Sequence, residues 1–275
     1  MAERSVIWSG LGVVLLAGAS LALPACSPAG EGGQAQATAA PAASASQAGE
    51  AGEGGGEAGE MGGEAGAASA FVGLSPQASA SLRVRQLEGF LLAAEALHQA
   101  GGAPGDVSIL IAQGLLEVHR PAEAAFSAGP TAAVKPAYDA VVAALDGGAP
   151  KAETEKAFAA ARAASAAAAA GEDPKSQITG LLAIAAGLYE GVNRGGAIDP
   201  IEYQHALGAA LAAQTVLTAN ASALKARDAA RYDQTVSDMQ ALLAVWPGPV
   251  APEKPAALAD VLAARARVEL SLSGL

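Results

Sequence analysis

Two of the three histidines close an E-x-x-H: Glu95-Ala96-Leu97-His98 and Glu202-Tyr203-Gln204-His205. Residues three apart share a helix face, and paired E-x-x-H motifs with two further glutamates let a four-helix bundle hold two iron ions. Glu117, Glu123 and Glu190 are available as the further carboxylates. Against a shared centre, His98 belongs to the apolar stripe of its helix while Glu95 sits roughly 60° round from it. A satisfied histidine at the core or its boundary is the plainer role for both. A single-metal site of His119 with Glu123 meets the objection that Pro121 lies between them and disturbs the helix that would align them. The metal candidates are therefore Glu95, His98, His119, Glu202 and His205, with iron as the possible cofactor.

Other chemistries find less. The chain holds no G-x-S-x-G and no H-E-x-x-H, so no catalytic residue is assigned. Gly54-Gly55-Gly56-Glu57-Ala58-Gly59 satisfies G-x-G-x-x-G, but neither a strand before it nor a helix after it supports a nucleotide site. The run Lys151 to Lys156 reads as the solvated first turn of an alanine-rich helix.

Elements that could position these residues begin at about Ser75. From there apolar residues recur three and four apart, with breaks at Gly and Pro. Leu87, Phe90, Leu91, Ala94, Leu97 and His98 make one stripe that stops at Gly101-Gly102. Asp173-Pro174 and Asp199-Pro200 each set a capping side chain before a proline at the first helical position, and Glu202 adds a charge suited to the helix dipole. Helices are thus predicted to start at about 174 and 200, with others over 106–118, 131–146, 150–170, 224–245 and 255–273. No stretch alternates as a strand. Residues 89–99 and 180–190 align as a weak repeat, pairing Gly89 with Gly180 and Leu97 with Leu188, and Gly114 answers Gly208. A true repeat implies two duplicated helical-hairpin halves in one bundle.

Before Ser75 the sequence changes character. Arg4 precedes an apolar run from Val6 to Leu23, and Leu23-Pro24-Ala25-Cys26 follows. That layout is a secretory signal, and the last four residues resemble a lipobox, which makes Cys26 the lipid-attachment site and 1–25 the signal peptide. The alternative is an uncleaved membrane helix, since the run nearly reaches the ~20 residues that span a bilayer. With Cys26 acylated, no disulfide can form within the chain. Residues 26–74, rich in Gly, Ala and Glu, lack the apolar surface to fold; as a coil the stretch reaches about 40 Å. Six of the glutamates lie there, and the formal net charge of −11 offers nothing like the basic stripe of a nucleic-acid binder.

Gly187 to Ala210, "GLYEGVNRGGAIDPIEYQHALGAA", resembles a helix-turn-helix motif of the periplasmic helical domains that accompany high-affinity iron permeases in bacteria. The matching residues are Tyr189, Val192, Gly196, Ile198, Glu202 and Tyr203, with one extra residue between Val192 and Gly196. The whole layout of lipobox, stalk and alanine-rich helices resembles a set of proteobacterial helical lipoproteins. That resemblance implies a shared fold and a link to iron uptake, and Ser27 after the lipidated cysteine implies the outer membrane, facing the periplasm. The expectation is an all-α, up-and-down helical bundle over 75–275. It would be tethered to the lipid bilayer, binding an envelope protein or small ligand without catalysis; the alternative is an iron-binding or iron-uptake accessory protein.

Overall fold

The computed structural model describes residues 67–194 and 196–275. The signal segment, Cys26 and most of the expected stalk lie outside the described residues. Among the described residues, a short 3-10 turn (Ser69–Phe71) is followed by four helices of the first half: α1 (Pro76–Gln99), α2 (Pro104–Gly114), α3 (Val134–Asp146) and α4 (Lys151–Ala168). A π turn (Leu115–His119) and two 3-10 segments (Arg120–Phe126 and Gly129–Ala133) link α2 to α3. Then follow α5 (Pro174–Tyr189), a two-strand hairpin of β1 (Asn193–Arg194) and β2 (Ala197–Ile198), α6 (Pro200–Ala219), α7 (Ala221–Arg227), α8 (Ala229–Leu243) and α9 (Leu258–Ser273).

Local chemistry explains most boundaries. Ser75 caps α1 by accepting from Ala78 N at 3.1 Å, and Asp173 caps α5 by accepting from Ser176 N at 2.9 Å. Asp199 takes both Ile201 N and Glu202 N at the start of α6. The tetrapeptide Gly-Gly-Ala-Pro occurs at 101–104 and again at 147–150, linking α1 to α2 and α3 to α4. In each, a glycine with positive φ (Gly101, +85°; Gly148, +64°) ends the helix. The next N–H reaches back to Leu97 O and Ala144 O respectively, each at 2.9 Å, which satisfies an otherwise open last carbonyl.

Three boundaries depart from expectation. The helix predicted over 224–245 breaks at Asp228, whose extended backbone (φ −157°, ψ 105°) ends α7 and whose side chain caps α8 through Arg231 N. The helix over 106–118 loses α geometry after Gly114 and finishes as the π turn. A hairpin appears where no strand was expected: Gly196 (φ +85°) turns β1 antiparallel onto β2.

Helices α1 to α4 pack around one apolar core that includes Leu87, Phe90, Ile111, Tyr138 and Phe158. Helices α5, α6, α8 and α9 enclose a second, with Ile178, Leu181, Tyr203, Met239 and Val261. Within each half the first helix packs on the second and fourth, the second on the third, and the third on the fourth. The outer helices bury one stripe each: Val134, Tyr138, Val141 and Leu145 in α3, and Thr154, Phe158, Ala161 and Ser165 in α4, at the same spacing. By contrast α6 is buried all round from His205 to Ala210, because it faces its own half on one side and α1 on the other. Ala206, Gly208, Ala209 and Ala210 are small enough to allow that on both sides.

At the crossing of α1 and α6, Gly89 meets Gly208 backbone to backbone. A methyl on Gly89 would lie 2.8 Å from the Gly208 carbonyl carbon, and one on Gly208 2.7 Å from that of Gly89. The proposed equivalence of Gly114 with Gly208 does not hold: Gly114 makes room for Phe90 and Leu87 within its own half. Gly180, the counterpart of Gly89, admits Leu82 from the other half, so that pairing survives in kind. Gly208→Ala should cost about 1–3 kcal/mol, the usual range for overpacking, read as a lower urea midpoint. An unchanged midpoint would mean that the halves do not meet there.

Residues 67–74 are not stalk. Ala67 is buried in the second core, Ala70, Phe71 and Leu74 pack against it, and the Arg83 guanidinium sits 4.6 Å from the Phe71 ring centre. This short apolar cluster supplies the side chains that such packing needs.

Candidate functional site at the junction of the halves

A set of buried polar groups gathers where the halves meet. Arg85 and Glu88 lie one turn apart on α1, and Arg85 Nη1 donates to Glu88 Oε2 at 2.7 Å. Arg85 Nε donates to Gln177 Oε1 on α5 at 3.2 Å. Gln177 Nε2 in turn donates to Ser81 Oγ at 2.8 Å and to the Ala169 carbonyl at 3.0 Å. Glu88 is 1% exposed, and this burial raises its carboxyl above the usual range, against the opposing pull of Arg85 and Arg162. The network thus joins α1 to α5 and satisfies the Ala169 carbonyl just past the end of α4. Nearby, Tyr138 OH and Ser165 Oγ share a hydrogen bond of 2.8 Å, and burial pushes the Tyr138 phenol up. None of these residues was singled out in the sequence. The available signal was Glu88 itself, a charge on the stripe of Val84, Leu87 and Leu91.

The five candidate ligands are dispersed among separate surroundings. Glu95 is bound by Arg162 of α4, and His98 stacks on Phe158 with ring centres 5.8 Å apart, its Nε2 buried without a hydrogen-bond partner. His119 packs on Phe126 at 4.6 Å; burial and then Lys135 lower its pKa, against Glu123 and Asp139. Glu202 lies against Gly191, where a methyl would come within 2.9 Å of its Cγ. His205 is in the junction, its ring 4.3 Å from that of Phe90, with Nε2 3.4 Å from Gln113 Oε1 and Nδ1 3.8 Å from Glu117 Oε2. Burial lowers the His205 pKa to about 4, although Asp199 pulls it up. The two E-x-x-H motifs therefore do not converge. Among the described residues, no group of three or more His, Cys, Asp or Glu side chains could hold a metal ion. The reason is tertiary: α1 turns Glu95 toward α4, whereas α6 turns His205 toward α1 and α2.

The hairpin motif builds a different feature. Tyr189 OH donates to the Ala256 carbonyl and Tyr203 OH to that of Gly248, both at 2.9 Å, and Gln204 Nε2 donates to the Pro249 carbonyl. These bonds strap the proline-rich 246–257 connection across the ends of α5 and α6. Trp246 packs edge-on against Tyr189 at 5.5 Å. Burial pushes the Tyr203 phenol up to about 12, so it remains a donor at every physiological pH. Val192 O accepts from Asp199 N and Gly196 supplies the positive φ, so the motif's residues close the hairpin and its strap.

Residues 172–275, the second half, match the family model of an iron permease-associated 4-helix bundle domain. The resemblance noted over 187–210 is thereby shown over a longer stretch that begins just before α5. No curated protein and no solved structure matches the chain.

Proposed function

We propose that this chain is a membrane-anchored, extracytoplasmic lipoprotein that serves iron uptake as a non-enzymatic interaction module. The match of residues 172–275 to an iron permease-associated bundle is the observation that carries the reading. Two features support it. The buried charges and tyrosines of the bundle are engaged in joining helices and strapping a loop, which is the economy of a docking scaffold (Arg85 with Glu88 and Gln177; Tyr189 and Tyr203 with the strap). The lipobox ending in Cys26 and the acidic stretch after it would hold such a scaffold near a membrane permease. A lipid anchor at the outer membrane, facing the periplasm, follows from Ser27 in this reading.

Deleting the gene should slow uptake of radioactive iron under iron limitation, and the wild-type chain should restore it. Cys26→Ala should take up no radiolabelled palmitate and restore uptake poorly. Unchanged uptake in the deletion strain would remove the iron assignment, and palmitate labelling that persists in Cys26→Ala would remove the anchor.

A further inference from the structure

We propose that two copies of this chain dock through the outer face of α2, antiparallel about a two-fold axis near Ala112. This contact does not depend on the uptake reading. Ile109, Ala112 and Leu116 recur three and four residues apart, so they share one stripe. All three are exposed, Ile109 to 56% and Leu116 to 55%. Val107, Leu110 and Ile111, on the inward side, are buried in the first core. The helix is therefore apolar on both sides, the pattern of a helix that is covered on both.

The second half shows what covers such a stripe. Helices α2 and α6 each begin with a proline, Pro104 and Pro200. Aligned there, the core residues Val107, Leu110 and Ile111 fall on Tyr203, Ala206 and Leu207, which are buried likewise. The same alignment sets Ile109 on His205 and Ala112 on Gly208, the residues by which α6 lies on Phe90 and Gly89 of α1. In α6 this face carries a helix; in α2 it stands open.

The open stripe is complementary to itself. Turned end for end about a point between Ala112 and Gln113, Ile109 of one copy meets Leu116 of the other, and the reverse. Ala112 falls at the crossing, where its small side chain lets the two backbones approach. The ends carry opposite charge: Asp106 stands in the first turn of α2 and Arg120 just past the π turn, both exposed. The rotation that joins Ile109 to Leu116 therefore brings the acidic end of each copy to the basic end of the other, whereas a parallel pairing would set like charges together. The other exposed apolar stripe, Leu262 to Leu270 on α9, lacks this property, since the same rotation about Ala266 would set Arg265 against Arg267. A contact in which one patch serves both subunits closes at the dimer. One short helix face is small beside the roughly 1,200 Å² of a stable interface, so the dimer exchanges, with a dissociation constant on the order of 10–100 µM.

The test is sedimentation and disulfide trapping of the purified full chain in detergent. Sedimentation should show monomers exchanging with dimers, and Ile109→Glu with Leu116→Glu should weaken the dimer roughly tenfold or more. Circular dichroism of that variant should match wild type, because both positions are exposed. Asp106→Arg should weaken the dimer about threefold, the effect of exposed charge pairs, and adding Arg120→Asp should restore it. For trapping, Cys26→Ala removes the single cysteine and Ala112→Cys supplies one at the axis. A residue there lies opposite its own copy, within the ~7 Å between Cα atoms that a disulfide can bridge, so mild oxidation should yield a covalent dimer. Ala266→Cys, on the outer face of α9, should stay monomeric. A wild-type chain that remains monomeric up to about 500 µM, a dimer that keeps its affinity in the doubly charged variant, or a link that forms at Ala266 and not at Ala112 would overturn the proposal. Iron uptake by the deletion strain enters none of these readouts, so the two proposals fail separately.

Discussion

Glu88→Ala is expected to destabilise the fold by about 3–5 kcal/mol, the range for breaking one side of a buried ion pair. Arg85 is 6% exposed and would keep its charge in a space sealed by α1, α4 and α5. Gln177 Oε1 would still accept from Arg85 Nε, but the bond from Nη1 would lose its acceptor. A guanidinium cannot escape by deprotonating. Its remaining recourse is to pull apart the contact between α1 and α5, and with it the bonds from Gln177 to Ser81 and Ala169. Urea unfolding would report the loss as a lower midpoint. A loss within about 0.5 kcal/mol, typical of surface sites, would mean that water already reaches the pair.

The intact pair is not for that reason a large source of stability. Burial raises the Glu88 carboxyl despite Arg85 beside it, so desolvation outweighs the attraction. Replacing both residues together, Arg85→Met with Glu88→Leu, should therefore be neutral or stabilising, in contrast to either single change. The pair's value lies in fixing which face of α1 meets α5. Apolar packing alone would specify that less sharply, since alanine faces are alike.

Capping was legible in the sequence because it is local. An aspartate before Pro174 or Pro200 bonds amides two or three residues ahead, and no distant element can change that. Asp228 uses the same chemistry, but it lies within a run that stays helical in type on both sides, with no proline to mark the break. The crossing of Gly89 and Gly208 was beyond reach, since a glycine that admits a neighbouring backbone looks like any other until the neighbour is known. The E-x-x-H motifs show the same limit: three-residue spacing aligned Glu95 with His98 and Glu202 with His205, while the rotation of α1 and α6 sent the pairs to different neighbours. Duplication was half visible. Gly89 and Gly180 share a role, yet the stronger sign of two halves is the repeated order of helix packing, which lies in contacts and not in residue identities.

Acid should attack the junction through His205. Its folded pKa is about 4 and the unfolded imidazole titrates near 6.5, so between those values the unfolded chain binds the extra proton. Stability from this group is complete above pH ~6.5 and is lost as pH falls through 4, about 3 kcal/mol over the interval. Glu88 works in the opposite sense, because a carboxyl raised in the folded state favours the fold as it protonates. A raw stability profile would blend the two. The clean measurement is the difference between wild type and His205→Leu. Leucine retains contact with Phe90 and removes the titration. The wild type should lose about 3 kcal/mol relative to this variant between pH 7 and pH 4. Parallel profiles would show that His205 takes up its proton in place, with Glu117 stabilising the imidazolium, and the junction would then be an ion pair in acid.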